Sequence, residues 1–177
     1  MIIRLKELLQ GPRHFDLKFE SSWWRGGDSN NQLLGLDGPL DVHLTLSKEG
    51  THYVVDGSLK GKIRVRCDRC TETYSHEVQS EFGLILAPPL PESVGSEIEL
   101  SEEDMSVEFL ADDEIEMDHL VREQLYLALP IKFICHEACR GLCPVCGTNL
   151  NRETCRCQEK TGHPAFLKLK ELELSRN

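Results

Sequence analysis

The 177-residue sequence lacks long hydrophobic runs and lacks the signature motifs of the common enzyme classes. No apolar stretch approaches the ~18–20 residues that a membrane-spanning helix requires. There is no phosphate-binding G-x-x-x-x-G-K-[ST], no dinucleotide fingerprint G-x-G-x-x-G, no G-x-S-x-G and no H-E-x-x-H. These absences argue against membrane insertion, nucleotide-dependent chemistry, serine-hydrolase chemistry and zinc proteolysis. We therefore expect a protein that is not an enzyme.

The first ten residues lack the uninterrupted apolar core of a secretory signal peptide, because Arg4, Lys6 and Glu7 interrupt it. We therefore expect a cytoplasmic protein in a reducing compartment. Its eight cysteines are then expected to serve as thiolate ligands of a metal. A disulfide framework, which is typical of short secreted chains, is the alternative.

One stretch of the chain lacks basic residues altogether. Residues 92–118, which we name the acidic segment, contain twelve Asp or Glu residues and no Lys, Arg or His. The formal net charge of the chain is −10, yet outside this segment twenty basic residues face the remaining eighteen of the thirty acidic residues. The chain is thus a near-neutral body with one acidic strip, which we expect to lie on the surface.

Hydrophobic periodicity predicts an α+β protein. Apolar and polar residues alternate over 40–47, 59–66 and 74–86, and short connections separate these stretches. Half-polar strands of this kind indicate an antiparallel meander. A period of 3.6 residues predicts a helix over 118–129 and a terminal helix over 164–174.

We expect the chain to divide after residue 130. Residues 1–130 are predicted to form the antiparallel sheet domain with the acidic segment and the first helix, and residues 131–177 a cysteine-rich zinc-binding segment with the terminal helix. Residues 15–19 alternate as a strand, whereas residues 5–9 suit one face of a helix. Of the adjacent Trp23 and Trp24, one could be exposed and stack on a nucleobase, although half-buried packing is the commoner arrangement.

Two cysteine pairs near the C-terminus predict a four-sulfur metal site. Cys143 and Cys146 form a C-x-x-C turn, and Gly147 permits a left-handed backbone directly after it. Such a turn, called a zinc knuckle, presents two thiolates to one zinc. Cys155 and Cys157 provide the second pair, provided that their loop bends. We predict that these four cysteines bind one zinc ion.

The remaining cysteines form a second predicted zinc site. They are Cys67, Cys70, Cys135 and Cys139. In a competing scheme, Cys135 and Cys139 combine with the C-x-x-C at 143–146 in a single site, which leaves the upstream pair free. We favour two zinc sites. His136 and His163 are alternative ligands, although a lone histidine is more often a surface residue.

One predicted strand carries a cation at every second position. Its cations are Lys60, Lys62, Arg64 and Arg66, and Arg69 follows beyond the strand's end. Alternate strand positions leave the same face ~6.6 Å apart, so this basic row could neutralise successive phosphates of an RNA. The ordinary alternative is the solvated face of a sheet. In a third interpretation the acidic segment lies across this face and competes with RNA.

Four stretches together are similar to one known family. They are V-R-C-D-R-C at 65–70, L-A-L-P at 127–130, C-R-G-L-C-P-V-C-G-T-N-L-N at 139–151 and C-R-C at 155–157. This combination resembles the YceD family of bacteria and plastids, the large ribosomal RNA subunit accumulation proteins. The resemblance extends from about residue 41 to the C-terminus, and G-L-C-P-x-C-G-x-N-L-N is its most specific string.

The resemblance implies a cytoplasmic, non-enzymatic factor that promotes the synthesis, processing or accumulation of large-subunit ribosomal RNA. It also implies association with a gene for a large-subunit ribosomal protein. The expected partners are therefore ribosomal RNA, a large-subunit ribosomal protein, or both, with no membrane and no small-molecule substrate. It carries over no set of metal ligands.

Two other functions stay open from the sequence. The first is a protein-binding adaptor that uses the acidic segment against a basic ribosomal protein or a nuclease. The second is a thiol redox or metal-dependent enzyme. A thioredoxin-like C-x-x-C lies between a strand and a helix, whereas the flanks of Cys67 and Cys70 are predicted antiparallel strands.

Overall fold

A computed structural model of the chain describes residues 1–5, 8, 11–24, 32–87, 107–110, 112 and 114–157. Its elements include β1 (Ile2–Arg4), β2 (Arg13–Phe19), a 3-10 helix (Ser21–Trp23), β3 (Leu33–Glu49), β4 (His52–Arg66), β5 (Thr73–Ala87), β6 (Val107–Phe109), β7 (Glu114–Glu116) and α1 (Met117–Leu127). The chain forms two compact units. The sheet unit comprises Met1–Arg66 and Thr73–Phe133, and the cysteine unit comprises Cys67–Glu72 and Ile134–Asn177.

Five strands of the sheet unit form one sheet in the order β2-β3-β4-β5-β6. Strands β2 to β5 are antiparallel neighbours, with Leu17 opposite Val42, Val42 opposite Leu59, and Leu59 opposite Ser80. This pairing confirms the predicted meander. The short β6 pairs in parallel with the end of β5, which the periodicity did not predict.

Alternation along the strands buries one face of the sheet. Val42 and Leu59 are fully buried, whereas their chain neighbours Asp41 and Lys60 are exposed. Side chains from β3, β4, β5 and α1 belong to one hydrophobic cluster. Each large aliphatic side chain buried in this way contributes about 1.5–3 kcal/mol. The apolar period of two in the sequence therefore defines both the strands and the core.

The α1 helix begins and ends slightly before the predicted bounds of 118 and 129. The face that the sequence predicted is buried through Leu120, Val121, Gln124 and Leu125. In the first turn, Asp118 binds the Met1 ammonium and accepts a hydrogen bond from Trp23 Nε1 at 2.8 Å. These two partners hold the pKa of Asp118 below its usual value. The contacts tie three separate parts of the sheet unit together.

Part of the acidic segment belongs to the fold. Strand β7 pairs antiparallel with β1, and both Ile115 and Met117 are buried in the hydrophobic cluster. The expectation of a surface segment is therefore wrong for these two residues, because single apolar residues between the acidic ones pack into the hydrophobic cluster and anchor the chain. Residues 92–106 lie outside the described residues.

The predicted strand at 15–19 is confirmed within β2, and residues 2–4 form a strand that the sequence did not predict. The predicted terminal helix at 164–174 lies outside the described residues. The division between the two units differs from the predicted one after residue 130. The cysteine unit begins at Ile134 and also includes Cys67–Glu72, the connection from β4 to β5. None of the described helices has the length and hydrophobicity needed to cross a lipid bilayer.

Candidate metal centre and basic strand

The connection between β4 and β5 has the hydrogen-bond geometry expected of a zinc knuckle. The backbone N–H of Cys67 donates to the Glu72 carbonyl, and the N–H of Thr71 donates to the Cys67 carbonyl, each at 2.9 Å. The amide of Arg69 points at Cys67 Sγ from 3.4 Å. Thr71 has a φ of 60°, in the left-handed region that side chains with a branched Cβ rarely adopt.

The C-x-x-C at 143–146 repeats the same construction bond for bond. Cys143 N–H donates to the Thr148 carbonyl at 2.8 Å, and Gly147 N–H donates to the Cys143 carbonyl at 2.9 Å. The Val145 amide lies 3.4 Å from Cys143 Sγ. Gly147 has a φ of 75° and occupies the position that Thr71 takes in the first knuckle. Two equivalent turns therefore each direct a pair of sulfurs to one side.

The first knuckle meets Cys135 and Cys139 in a compact tetrad. All four Sγ atoms lie within 4.8 Å of one another. The Sγ atoms of Cys67 and Cys139 are 3.9 Å apart, and those of Cys70 and Cys135 are 3.7 Å apart. These separations match the ~3.8 Å edge of a tetrahedron whose sulfurs lie ~2.3 Å from a central zinc. They are far longer than the ~2.05 Å bond of a disulfide.

The second knuckle meets Cys155 and Cys157 in a second tetrad, whose four sulfurs also lie within 4.8 Å of one another. Cys143 is buried there, whereas Cys146 and Cys157 are exposed. The structure thus groups the eight cysteines in the two sets that we favoured, and not in the competing set. His136 belongs to neither group, and His163 lies outside the described residues.

Burial and hydrogen bonding divide the thiols of the first tetrad into two kinds. Burial would raise the pKa of Cys67, but the backbone amides of Cys70, Cys135 and Arg69 lower it to about 6. The pKa of Cys139 is likewise lowered against the effect of burial, chiefly by the Asn151 side chain. Burial raises the pKa of Cys70, and burial with neighbouring thiols raises that of Cys135 to about 12.

The second tetrad shows the same division. The Thr148 hydroxyl lies 3.3 Å from Cys146 Sγ. Hydrogen bonds to the Thr148 side chain and backbone, together with those to Cys143 and Cys157, lower the pKa of Cys146 to about 6. The neighbouring Cys146 raises the pKa of Cys157 to about 12, and that of Cys155 is also raised. Some sulfurs of each tetrad are thus ready ligands, whereas others exchange a proton for the metal.

Both tetrads fit a closed, tetrahedral metal site. Each offers four thiol sulfurs and no carboxylate or water-binding base, which is the donor set of structural zinc. A catalytic zinc keeps one coordination position for water, which four protein sulfurs leave no room for. The arrangement can therefore hold a metal and fix the chain around it. The cysteine tetrads are compatible with zinc.

The basic row is exposed along β4. Lys60, Lys62, Arg64 and Arg66 all face solvent, while the intervening Gly61, Ile63 and Val65 face inward. Its two ends have different surroundings. Lys60 lies opposite Asp41, and Lys62 Nζ is 3.3 Å from a carboxylate oxygen of Glu77.

The arginine end of the row has neutral neighbours. Arg64 lies opposite Ser75 on β5 and Gly35 on β3, and Arg66 lies opposite Thr73. The cations of these two residues therefore face no carboxylate directly across the strand pairs. This end of the row has the larger uncompensated positive charge.

The structure gives Arg69 a different environment from the basic row. Its guanidinium donates to the carbonyl of Cys139 at 3.0 Å and to that of Glu137 at 3.5 Å. Arg69 therefore clamps the segment that contains Cys139 within the cysteine unit.

The tryptophans pack instead of presenting a free ring. Trp24 is buried, and Trp23 is half-buried against Phe19, with ring centroids 4.3 Å apart. The Arg122 guanidinium lies 4.9 Å and 4.8 Å from the two indole centroids. This arrangement is the edge packing that we weighed against nucleobase stacking.

A cavity of about 290 Å³ adjoins the described part of the acidic segment. Its apolar lining is buried through Leu86, Ile115 and Leu120. Its exposed carboxylates are Glu108, Asp112, Glu114, Glu116 and Glu123. Burial, followed by the charge of Glu123, raises the pKa of Glu108. Glu108 and Glu123 therefore repel each other beside the apolar lining.

Sequence reasoning missed Asn151 as a neighbour of the first tetrad. Its side-chain Nδ2 lies 3.3 Å from Cys139 Sγ, although the residue follows the second knuckle in the chain. It also missed Gly141, whose φ is 74° and where a Cβ would lie 3.0 Å from the Arg69 carbonyl oxygen. Glycine next to a cysteine pair is a usable signal for such a close approach. The asparagine gives no comparable local signal.

Comparison with known proteins supports the resemblance seen in the sequence. A family model described as "Large ribosomal RNA subunit accumulation protein YceD" matches residues 55–173. The matched region contains the basic row and both tetrads. No solved structure matches the chain.

Curated relatives share this description. The "Large ribosomal RNA subunit accumulation protein YCED homolog 1, chloroplastic" of Arabidopsis thaliana is 27% identical over 140 residues, which cover 67% of this chain and 44% of that protein. Its namesake in Zea mays is 23% identical over 145 residues, covering 69% and 50%. An uncharacterized protein of Mycobacterium bovis is 29% identical over 133 residues, covering 75% and 61%. The chain thus spans about half the length of the plant relatives.

Proposed function

Because the chain belongs to the YceD family of large ribosomal RNA subunit accumulation proteins, we propose that it is a non-enzymatic factor that promotes accumulation of large-subunit ribosomal RNA by binding RNA directly. We place its action in the cytoplasm, as the sequence resemblance implies, while the two plant relatives are named chloroplastic. The partner is ribosomal RNA, alone or together with a large-subunit ribosomal protein.

In this proposal both tetrads bind zinc and serve only to hold the cysteine unit in shape. The donor set of four sulfurs within 4.8 Å of one another supports zinc in both. In the first tetrad the sulfur separations of 3.9 Å and 3.7 Å support it further. Closed sites of this kind support a role without catalysis. Metal analysis of the purified chain tests the proposal, which expects two zinc ions per chain. One zinc or none would contradict it.

The observation that carries RNA binding is the row of four exposed cations on β4. Their ~6.6 Å spacing is comparable with the distance between successive phosphates of an extended strand. Each cation that neutralises a phosphate releases a counterion, which makes binding tight at low salt. We assign the largest share of the RNA-binding free energy to Arg64 and Arg66, because Lys62 already pairs with Glu77.

The charge of the cysteine unit favours the sheet unit as the RNA-binding part. In its described residues the arginines Arg69, Arg140, Arg152 and Arg156 are balanced by Asp68, Glu72, Glu137 and Glu153. A zinc ion bound by four thiolates retains two negative charges. Loaded with metal, these residues therefore carry net negative charge, which disfavours phosphate. The zinc sites hold structure, and the strand binds RNA.

Charge reversal tests this assignment. The double variant Arg64→Glu/Arg66→Glu is expected to weaken binding to a large-subunit ribosomal RNA transcript about tenfold or more, and to lower the log–log salt slope by about two. Lys48→Glu is the matched control, because Lys48 is exposed at the other end of the same sheet. If both variants bind the transcript like the original chain, direct binding through β4 is wrong.

An adaptor function is the second candidate, and the acidic cavity favours it. A basic protein segment with one apolar side chain would match its apolar floor and surrounding carboxylates. The triple variant Glu108→Gln/Glu116→Gln/Glu123→Gln should then lose binding to purified large-subunit ribosomal proteins, with Glu81→Gln as control. Unchanged binding would exclude the cavity as the adaptor surface, whatever the RNA experiment shows.

A further inference from the structure

Asn151 belongs by chain position to the second tetrad and by contact to the first. It lies between Cys146 and Cys155, which are both members of the second tetrad. Its side-chain Nδ2 nevertheless donates to Cys139 Sγ of the first tetrad at 3.3 Å. The loop that joins the two ligand pairs of one candidate site thus supplies a hydrogen bond to a ligand of the other.

Two further hydrogen bonds hold Asn151, one at its side-chain amide and one at its backbone. Its Oδ1 accepts from the backbone N–H of Arg140 at 2.7 Å, so Nδ2 must face the sulfur. Its own backbone N–H donates to Oδ1 of Asn149 at 2.9 Å. A side chain held at both ends can donate to a thiolate without a further loss of rotamer freedom. Within the folded cysteine unit, Asn151 is therefore oriented toward Cys139 by bonds that do not involve the sulfur.

Additional contacts join the two knuckles within the cysteine unit. The Leu142 N–H donates to the carbonyl of Arg69 at 3.0 Å, and the Leu150 N–H donates to the carbonyl of Gly141 at 2.9 Å. The Arg152 guanidinium pairs with the Glu72 carboxylate. Residues that follow the second knuckle are thus bonded directly to the turn of the first.

We infer that the two tetrads form one coupled metal module in which Asn151 is the positioning residue. Metal at the second tetrad fixes the loop between Cys146 and Cys155 and so keeps Asn151 on Cys139. A hydrogen bond to a thiolate ligand strengthens metal retention. Because coupling between sites is reciprocal, metal at the first tetrad favours the second equally. This inference rests on the proposed metal binding.

Chelator competition on the full-length, zinc-loaded chain tests the inference. The variant Asn151→Asp keeps the oxygen that accepts from Arg140 and replaces the donor toward sulfur with a second oxygen. We expect one zinc to be lost at about tenfold or more lower chelator concentration, the range typical of outer-shell partners. The variant Cys67→Ser/Cys70→Ser, which lacks two ligands of the first tetrad, identifies the released zinc as the one bound there. Because the coupling is reciprocal, the other zinc should then also be released at a lower chelator concentration than in the unmodified chain. Two zinc ions bound per chain before the chelator is added show that the variant still folds.

The matched control is Asn149→Asp, which makes the same chemical change two residues away and retains its acceptor for the Asn151 amide. The cobalt-substituted chain gives an independent readout, because loss of a hydrogen bond to a thiolate shifts the sulfur-to-cobalt charge-transfer band. Equal zinc release from both aspartate variants would overturn the role of Asn151.

Removal of the second site tests the coupling itself. In Cys155→Ser/Cys157→Ser, the zinc of the first tetrad should be lost at about tenfold or more lower chelator concentration than in the unmodified chain. Retention of that zinc at the original concentration would overturn the coupling while leaving metal binding intact. A chain that binds no zinc at all would instead refute the proposed metal binding.

Discussion

The sheet unit and the cysteine unit bury different material. The sheet unit buries a cluster of large apolar side chains that includes Leu40, Val55, Leu59, Ile63, Met117 and Leu125. Among the described residues of the cysteine unit, the buried side chains are those of Cys67, Cys70, Cys139 and Cys143. The core of the sheet unit thus consists of apolar side chains, whereas the buried side chains of the cysteine unit are thiols.

This difference determines what each unit needs in order to fold. Ordering a residue costs about 1–2 kcal/mol of backbone entropy, which the sheet unit offsets through its many buried aliphatic side chains. Four thiols bury too little apolar surface to offset that cost for the cysteine unit. Small units of this kind usually rely on a metal or disulfides. The sheet unit should therefore be stable alone, and the cysteine unit only with its ions.

Removal of metal should produce the largest effect. A chelator is expected to unfold the cysteine unit, because binding contributes about 10–16 kcal/mol per structural zinc site at neutral pH. Hydrogen exchange should lose protection at the amides of Val145 and Gly147 but keep it at Leu59 in β4. Protection that persists in both units after complete zinc removal would contradict the comparison.

A cavity in the hydrocarbon core should produce the opposite pattern. Leu59→Ala removes a side chain that is 1% exposed, and we expect it to lower the free energy of unfolding by about 2–5 kcal/mol. Zinc content should stay at its original value, because the change lies in the sheet unit. Denaturant unfolding with zinc analysis measures both quantities. Loss of zinc with the core would mean that the two units unfold together.

Acidification should act on the cysteine unit first. Without metal, Cys135 and Cys157 have pKa values of about 12, and those of Cys70 and Cys155 are also raised. Each tetrad then releases at least these two protons on binding zinc near neutral pH, so affinity should fall by about 100-fold or more per unit decrease in pH.

The dependence should steepen below pH 6. There Cys67 and Cys146, with pKa values of about 6, begin to take up protons as well. Metal-derived stability is thus present at high pH and lost as pH falls. Zinc release followed against pH measures the slope, and the far-ultraviolet signal of the sheet serves as control. A slope near zero between pH 6 and 8 would contradict the assigned protonation.

The sequence predicted the features that depend on local periodicity and spacing. The alternation over 40–47 gave the strand, the 3.6-residue period gave the face of α1, and the C-x-x-C pairs gave the two knuckles. The structure also has the favoured grouping of the eight cysteines, although the rule that a knuckle needs one more pair of sulfurs admitted the competing set as well.

Features that depend on distant contacts were not predictable. Strand β6 has three residues, too few for a period to be visible, and its neighbour is decided by the sheet. Arg69 continues the charge row in the sequence, but the turn directs it to the carbonyl of Cys139. Asn151 approaches the first tetrad only because the two knuckles are bonded to each other.

The smallest predicted effect compares the two knuckles directly. Thr71 and Gly147 occupy equivalent positions with φ values of 60° and 75°, and only glycine adopts this region without strain. Thr71→Gly should therefore stabilise the first site by about 1 kcal/mol, and Gly147→Ala should destabilise the second by a similar amount. No heavy atom lies within 4 Å of a Cβ built on Gly147, so the second change measures backbone strain without a clash. Chelator competition resolves both shifts. If both variants change metal affinity in the same direction, the two turns are not equivalent. Their shared hydrogen-bond pattern then does not determine how firmly they hold a metal.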